Sequence, residues 1–217
     1  MTRTTRILIT AGSIVAIVAV AVVLLVTMRS GSDDPPPTAD GSVQVVRDNS
    51  HRLTTVPDAK ATFVEFLDFE CEGCRAAYPL VEQLRDEYGD RVEFVVRYFP
   101  LSGHFNGERA ARAVEAAAQQ DQFEAMYHKM YETQPEWGEQ QVPADDVFRG
   151  FASELGLDMA AYDAAYADPA TAQRVQTDLV DGRALGVQGT PTFFINDAPV
   201  ELQSWDDLRV ALDNALQ

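Results

Sequence analysis

The chain has 217 residues, 46% of them hydrophobic and 24% charged, with 34 acidic side chains against 17 Lys and Arg. These proportions fit one globular domain with appendages and exclude a disordered, collagen-like or disulfide-dense chain. A net charge of −17 repels phosphate backbones and excludes general nucleic-acid binding.

Residues 7–28 carry no charge and are dense in Val, Ile, Leu and Ala. At about 1.5 Å per residue they span about 33 Å as a helix, enough for a hydrocarbon core. Arg3 and Arg6 precede the run, Arg29 closes it, and Asp33 and Asp34 follow. The positive amino flank predicts a cytoplasmic N-terminus with the rest of the chain outside the cell membrane. A cleaved signal peptide competes, but its apolar core is about 7–15 residues long and ends in a small-x-small site. Here the run ends Leu25-Val26-Thr27-Met28-Arg29, so residues 1–30 read as a cytoplasmic tip and uncleaved transmembrane anchor. Residues 31–42 include Pro35, Pro36 and Pro37, which predict an extended, semi-rigid spacer.

Residues 43–217 read as the folded domain. A short first strand is expected at 43–46. A stronger one at 61–69 is rich in β-branched and aromatic residues and runs into Cys71. Ala77, Leu80, Val81 and Leu84 give 74–88 helical spacing, which Gly89 stops. A strand follows at 91–99, ended by Pro100. Helices are then expected at 108–120, 122–133, 143–155, 159–166 and 170–185, punctuated by Gly138, Gly156 and Pro169. Strands at 192–195 and 199–201 and an amphipathic helix at 206–216 close the chain. The order predicts an α/β mixed sheet with a helical insertion at about 105–185.

Cys71 and Cys74 are the only cysteines, and they stand where a strand hands over to a helix. Three residues apart on a first helical turn, their sulfurs face one side and can bond. The first sulfur then lies at the helix amino end, where free N–H groups and the macrodipole favour a thiolate. Cys74, one turn further in, suits the resolution of a mixed disulfide. A zinc site needs about four ligands, and His51, His104 and His128 are not closely paired. A disulfide closing four residues would constrain the unfolded chain little. Redox exchange without metal or cofactor is the expected chemistry. Pro191, following Thr190, opens a strand; an X-Pro bond can be cis at modest cost.

These residues together resemble the thioredoxin superfamily, and more closely its DsbA-like branch of extracytoplasmic thiol–disulfide oxidoreductases, including membrane-anchored actinobacterial forms. The resemblance covers about 43–216. It rests on Val64-Glu65-Phe66 with Cys71-Glu72-Gly73-Cys74, Pro79, Phe99-Pro100-Leu101 with His104, and Gly189-Thr190-Pro191-Thr192. It implies that Cys71 attacks and links to substrate, that Cys74 resolves, that Pro191 is cis against the pair, and that Thr190 docks substrate by its backbone. Pro79 matches a helix-kinking proline, and His104 is expected to be structural.

The departure lies between the cysteines, where strongly oxidising members carry Pro-His. Glu72 competes with the thiolate for positive potential, and Gly73 has no side chain to donate. A less acidic Cys71 and a less oxidising couple are expected. Of the neighbouring carboxylates, Glu65 and Asp68 are candidates to lie under the pair and tune its pKa or relay protons, whereas Glu70 is expected to face solvent or to raise the thiol pKa passively. The reading implies secreted or cell-envelope protein thiols as clients and a membrane quinone-linked partner for reoxidation. A reductase or isomerase, or a redox-inert binding or chaperone module, are the alternatives.

Overall fold

The computed structural model describes residues 43–217. The expected anchor at 1–30 and the spacer at 31–42 lie outside the described residues. Among the described residues no helix is long and apolar enough to cross a membrane.

Five strands form one mixed sheet: β1 (His51–Arg52), β2 (Ala61–Leu67), β3 (Val92–Tyr98), β4 (Thr192–Ile195) and β5 (Ala198–Pro199). Their spatial order is β1-β3-β2-β4-β5. β2 runs parallel to β3 and antiparallel to β4, and Glu65 stands opposite Val96 on one side and Phe193 on the other. A parallel pair needs a crossover, and α1 (Glu72–Tyr88) supplies it. Both faces of central β2 are covered, which explains its nearly unbroken apolar run. Phe63 and Leu67 enter the larger core, with Phe94, Leu84 and Met130. Val64 and Phe66 enter the smaller one, with Val95, Phe99 and Leu179. By the same alternation Glu65 points into the larger core.

Between β3 and β4 run α2 (Gly107–Ala118), α3 (Phe123–Trp137), α4 (Asp145–Glu154), α5 (Met159–Ala167) and α6 (Pro169–Ala184); α7 (Asp206–Ala215) follows β5. The insertion thus stands where the sequence places it. Helix α2 is its pillar, touching α3, α4, α5 and α6. Ala110, Ala113, Ala116 and Ala117 are all fully buried there, and such short side chains let four helices approach one axis.

The expected strand at 43–46 is not formed. Val45 is buried, but the carbonyls of Gln44 and Val45 accept hydrogen bonds from Arg97 Nη1 at 2.9 and 2.7 Å. A guanidinium fork takes the acceptors that a strand ladder would use. The edge strand is instead His51–Arg52, antiparallel to β3.

Candidate active site

The loop after β2 delivers Cys71 to the amino end of α1. Cys71 is the N-cap, with extended backbone at φ −72° and ψ 122°, and Glu72 opens the first turn. Cys74, Ala77, Val81, Leu84 and Tyr88 form the buried stripe of this helix, so Cys74 is fully enclosed while Cys71 stays 7% exposed. Both thiols are free. Gly73 between them lies tight against the loop before β4: a Cβ there would be 3.3 Å from Pro191 Cδ and 3.4 Å from Cys71 Sγ. The Thr190–Pro191 peptide is cis. Cys71 Sγ donates to the Thr190 carbonyl at 3.3 Å. The Thr190 hydroxyl, buried and otherwise unpartnered, is placed to donate to a thiolate.

The two sulfurs are pushed apart in acidity. Cys71 is lowered from 9.0 to about 6, first by a hydrogen bond from Cys74, against the opposing effect of burial. Thr190 and the N–H groups of Cys74 and Gly73 add to the lowering. Cys74 is raised well above 9, first by burial and then by Cys71 and Glu65. At neutral pH Cys71 is therefore a nucleophile and a good leaving group, and Cys74 holds its proton.

Of the candidate carboxylates, Glu65 and Asp68 are both buried, at 2% and 1% exposure. Glu65 is raised to about 8, chiefly by burial, then by Cys71 and Glu82. Its carboxyl makes no hydrogen bond to a described residue, and at neutral pH it holds its proton beneath the pair. Asp68 is committed elsewhere: its carboxylate accepts from the N–H of Glu70 (2.9 Å) and Leu101 (2.7 Å) and from His104 Nδ1 (2.7 Å). Only its backbone N–H reaches Cys74 Sγ, at 3.5 Å. Glu72 is exposed beside the mouth.

Glu70 corrects the sequence reading. It is buried, not solvent-facing, and accepts from the N–H of Asn106 at 2.5 Å and of Glu139 at 3.1 Å. It thereby ties the cysteine loop to the start of α2 and the segment after α3. A second tie is Gln134 on α3, which donates to the carbonyls of Phe69 (2.7 Å) and Cys71 (3.0 Å). No local pattern flags Gln134, because its partners lie more than sixty residues away.

The family model described as Thioredoxin matches residues 52–214, three quarters of the chain. The chain belongs to the Thioredoxin family. A thioredoxin-like oxidoreductase from Silicibacter pomeroyi DSS-3 shares 29% identity, covers 78% of this chain and 93% of its own, and superposes with a TM-score of 0.64. In fold the chain is also similar to alpha-DsbA1 of Wolbachia pipientis (18% identity, 80% and 94% covered, TM-score 0.68). BdbD of Bacillus subtilis is similar as well (22%, 76% and 91%, TM-score 0.65). The fold is thus the DsbA-like form of this family, and with its C-x-x-C pair the chain is a thiol–disulfide oxidoreductase. A relative named Na(+)/H(+) antiporter NhaA, from Herminiimonas arsenicoxydans, is 38% identical over 138 residues, 64% of this chain. The chain spans about a fifth of the length of that relative, so the antiport in its name is not carried over.

Proposed function

We propose that this member of the family is an extracytoplasmic oxidase, which passes the Cys71–Cys74 disulfide to thiols of secreted or cell-envelope proteins. The carrying observation is the split in acidity between the two sulfurs. A sulfur held ionised near pH 6 favours the reduced form, and a couple whose reduced form is favoured gives its disulfide away. The value lies above the roughly 3.5 of a strongly oxidising DsbA, which supports the weaker oxidant expected from Glu72 and Gly73.

A client thiolate attacks Cys71 Sγ, the Cys71–Cys74 bond breaks, and Cys74 leaves with the electron pair and takes a proton. Glu65, protonated near neutral pH, is the buried group available to supply it. A second client thiolate then attacks the client sulfur of the mixed disulfide. A disulfide forms in the client, and Cys71 departs as a stable thiolate. A membrane quinone-linked partner would accept the two electrons. The open groove lined by Gln188, Thr190, Pro191, Val200 and Glu201 is where an extended client segment would lie. Thr190 and Pro191 would form its docking edge. The apolar run at 7–28 supports a membrane tether with the domain outside.

The test is an equilibrium titration of the pair against glutathione, together with alkylation trapping in cells. We expect mostly oxidised cysteines in the cell and a potential below the roughly −120 mV of DsbA. Mostly reduced cysteines would turn the reading toward a reductase or isomerase. Full activity after replacing both cysteines by serine would leave only a redox-inert module.

A further inference from the structure

Asp68 presents one peptide group to each cysteine. Its N–H donates to Cys74 Sγ at 3.5 Å, and its carbonyl accepts the Cys71 N–H at 3.1 Å. The Asp68 side chain is what holds this residue still. Two of its three donors are backbone N–H groups; the third, His104 Nδ1, is the one side chain and the one cation. The carboxylate packs close against Gly107 at the start of α2, where a Cβ would lie 2.9 Å from both oxygens.

We propose that His104 is a positioning residue for Cys74: acting through Asp68, it fixes the peptide N–H that meets the resolving sulfur. It thereby governs the step that makes or breaks the Cys71–Cys74 bond. The proposal rests on the disulfide-exchange reading of the pair and holds for either direction of electron flow. In one direction the Cys74 thiolate attacks Cys71 Sγ of a mixed disulfide, and the partner sulfur leaves with the electron pair. In the other, Cys74 is itself the leaving thiolate.

Either way, Cys74 must carry charge in a buried place that opposes it. Among the main influences on Cys74, the Asp68 N–H is the one that favours the thiolate. Asp68 first of all holds His104 protonated, up to about 9, so the imidazole is a cation at neutral pH. Without the His104 N–H, the buried carboxylate would lose its one side-chain donor beside the resolving sulfur, and its peptide would relax. The main groups that lower Cys71 are Cys74, Thr190 and the N–H groups of Cys74 and Gly73, and His104 reaches that sulfur only by its charge. The attack by Cys71 is therefore largely spared.

Reduced full-length chain mixed rapidly with 5,5′-dithiobis(2-nitrobenzoate) separates the two steps. Cys71 attacks the reagent and releases one thionitrobenzoate; Cys74 then displaces the second from the mixed disulfide. In His104→Ala we expect the first release to stay within about twofold of wild type and the second to slow at least about tenfold, equal to about 1.4 kcal/mol. In His104→Asn, whose amide N–H stands where Nδ1 does, the second release should return to within about threefold. An unchanged second release in His104→Ala, equal slowing of both, or no recovery in His104→Asn would overturn the proposal. Absence of any release from wild type would instead sink the exchange reading itself, and the proposal with it.

Discussion

Two ionisable side chains lie buried on opposite faces of the same sheet, and they are treated in opposite ways. Arg97, on β3 and fully enclosed, is saturated. Nε donates to Asp178 at 2.6 Å, Nη2 to Asp181 at 2.5 Å, and Nη1 to the carbonyls of Gln44 and Val45. Asp178 also accepts the Tyr98 N–H at 3.1 Å, and Arg47 adds a bidentate contact to Asp181. Glu65, on β2 and facing the cysteines, has no hydrogen-bond partner for its carboxyl among the described residues. The difference separates architecture from chemistry. A charge that only fixes the fold is fully partnered, as buried charges must be. Glu65, the group proposed to exchange protons, is left unpartnered, at a cost in stability.

The largest expected effect tests the saturated side. Arg97→Met leaves Asp178 and Asp181 without their central cation and should lower the unfolding free energy by about 3–5 kcal/mol in urea titrations. Exchange kinetics of the folded fraction should stay near wild type, since no hydrogen bond of this cluster reaches Cys71, Cys74 or Glu65. A loss under about 1 kcal/mol would break the comparison, because the cluster would then not be structural.

Glu65→Gln tests the other side. A carboxyl raised from 4.5 to about 8 binds its proton more tightly when folded than when unfolded. Stability therefore falls as pH climbs through that interval, and the fall is complete above the folded pKa. We expect wild type and Glu65→Gln to be similar near pH 5. Near pH 9 the variant should be more stable by about 2–4 kcal/mol. Urea titrations of the disulfide form check this, because burial, the chief cause of the rise, persists there while Cys71 no longer carries charge. Parallel pH profiles for the two proteins would show that Glu65 is not the isolated group the comparison requires.

Much of the site was legible because its signals are local. The run of apolar residues into Cys71, the helical spacing after Cys74 and the strand at 192–195 all depend on neighbours within a turn or two. The observed α1 and β4 fall where that spacing puts them. The misreadings have one cause. Residues 43–46 look like a strand until Arg97, some fifty residues on, takes their carbonyls. Glu70 looks solvent-facing until the N–H groups of Asn106 and Glu139 arrive from the insertion. Periodicity records which face of an element is apolar, but not which distant donor meets a given acceptor.

Gln134 carries the smallest expected effect and sharpens the comparison within the cysteine side itself. Gln134→Leu keeps the bulk of the side chain but removes the N–H donors to Phe69 and Cys71. The Cys71 carbonyl retains the Arg75 N–H at 3.1 Å, so Phe69 bears the main loss. One buried carbonyl left without this donor should cost about 1–2 kcal/mol of stability. The pKa of Cys71, read from thiolate absorbance against pH, should stay near 6, because neither carbonyl acts on its sulfur. A clear rise in that pKa would mean that α3 holds the sulfur as well as the loop. The line between scaffold and chemistry would then run through the insertion and no longer along the sheet.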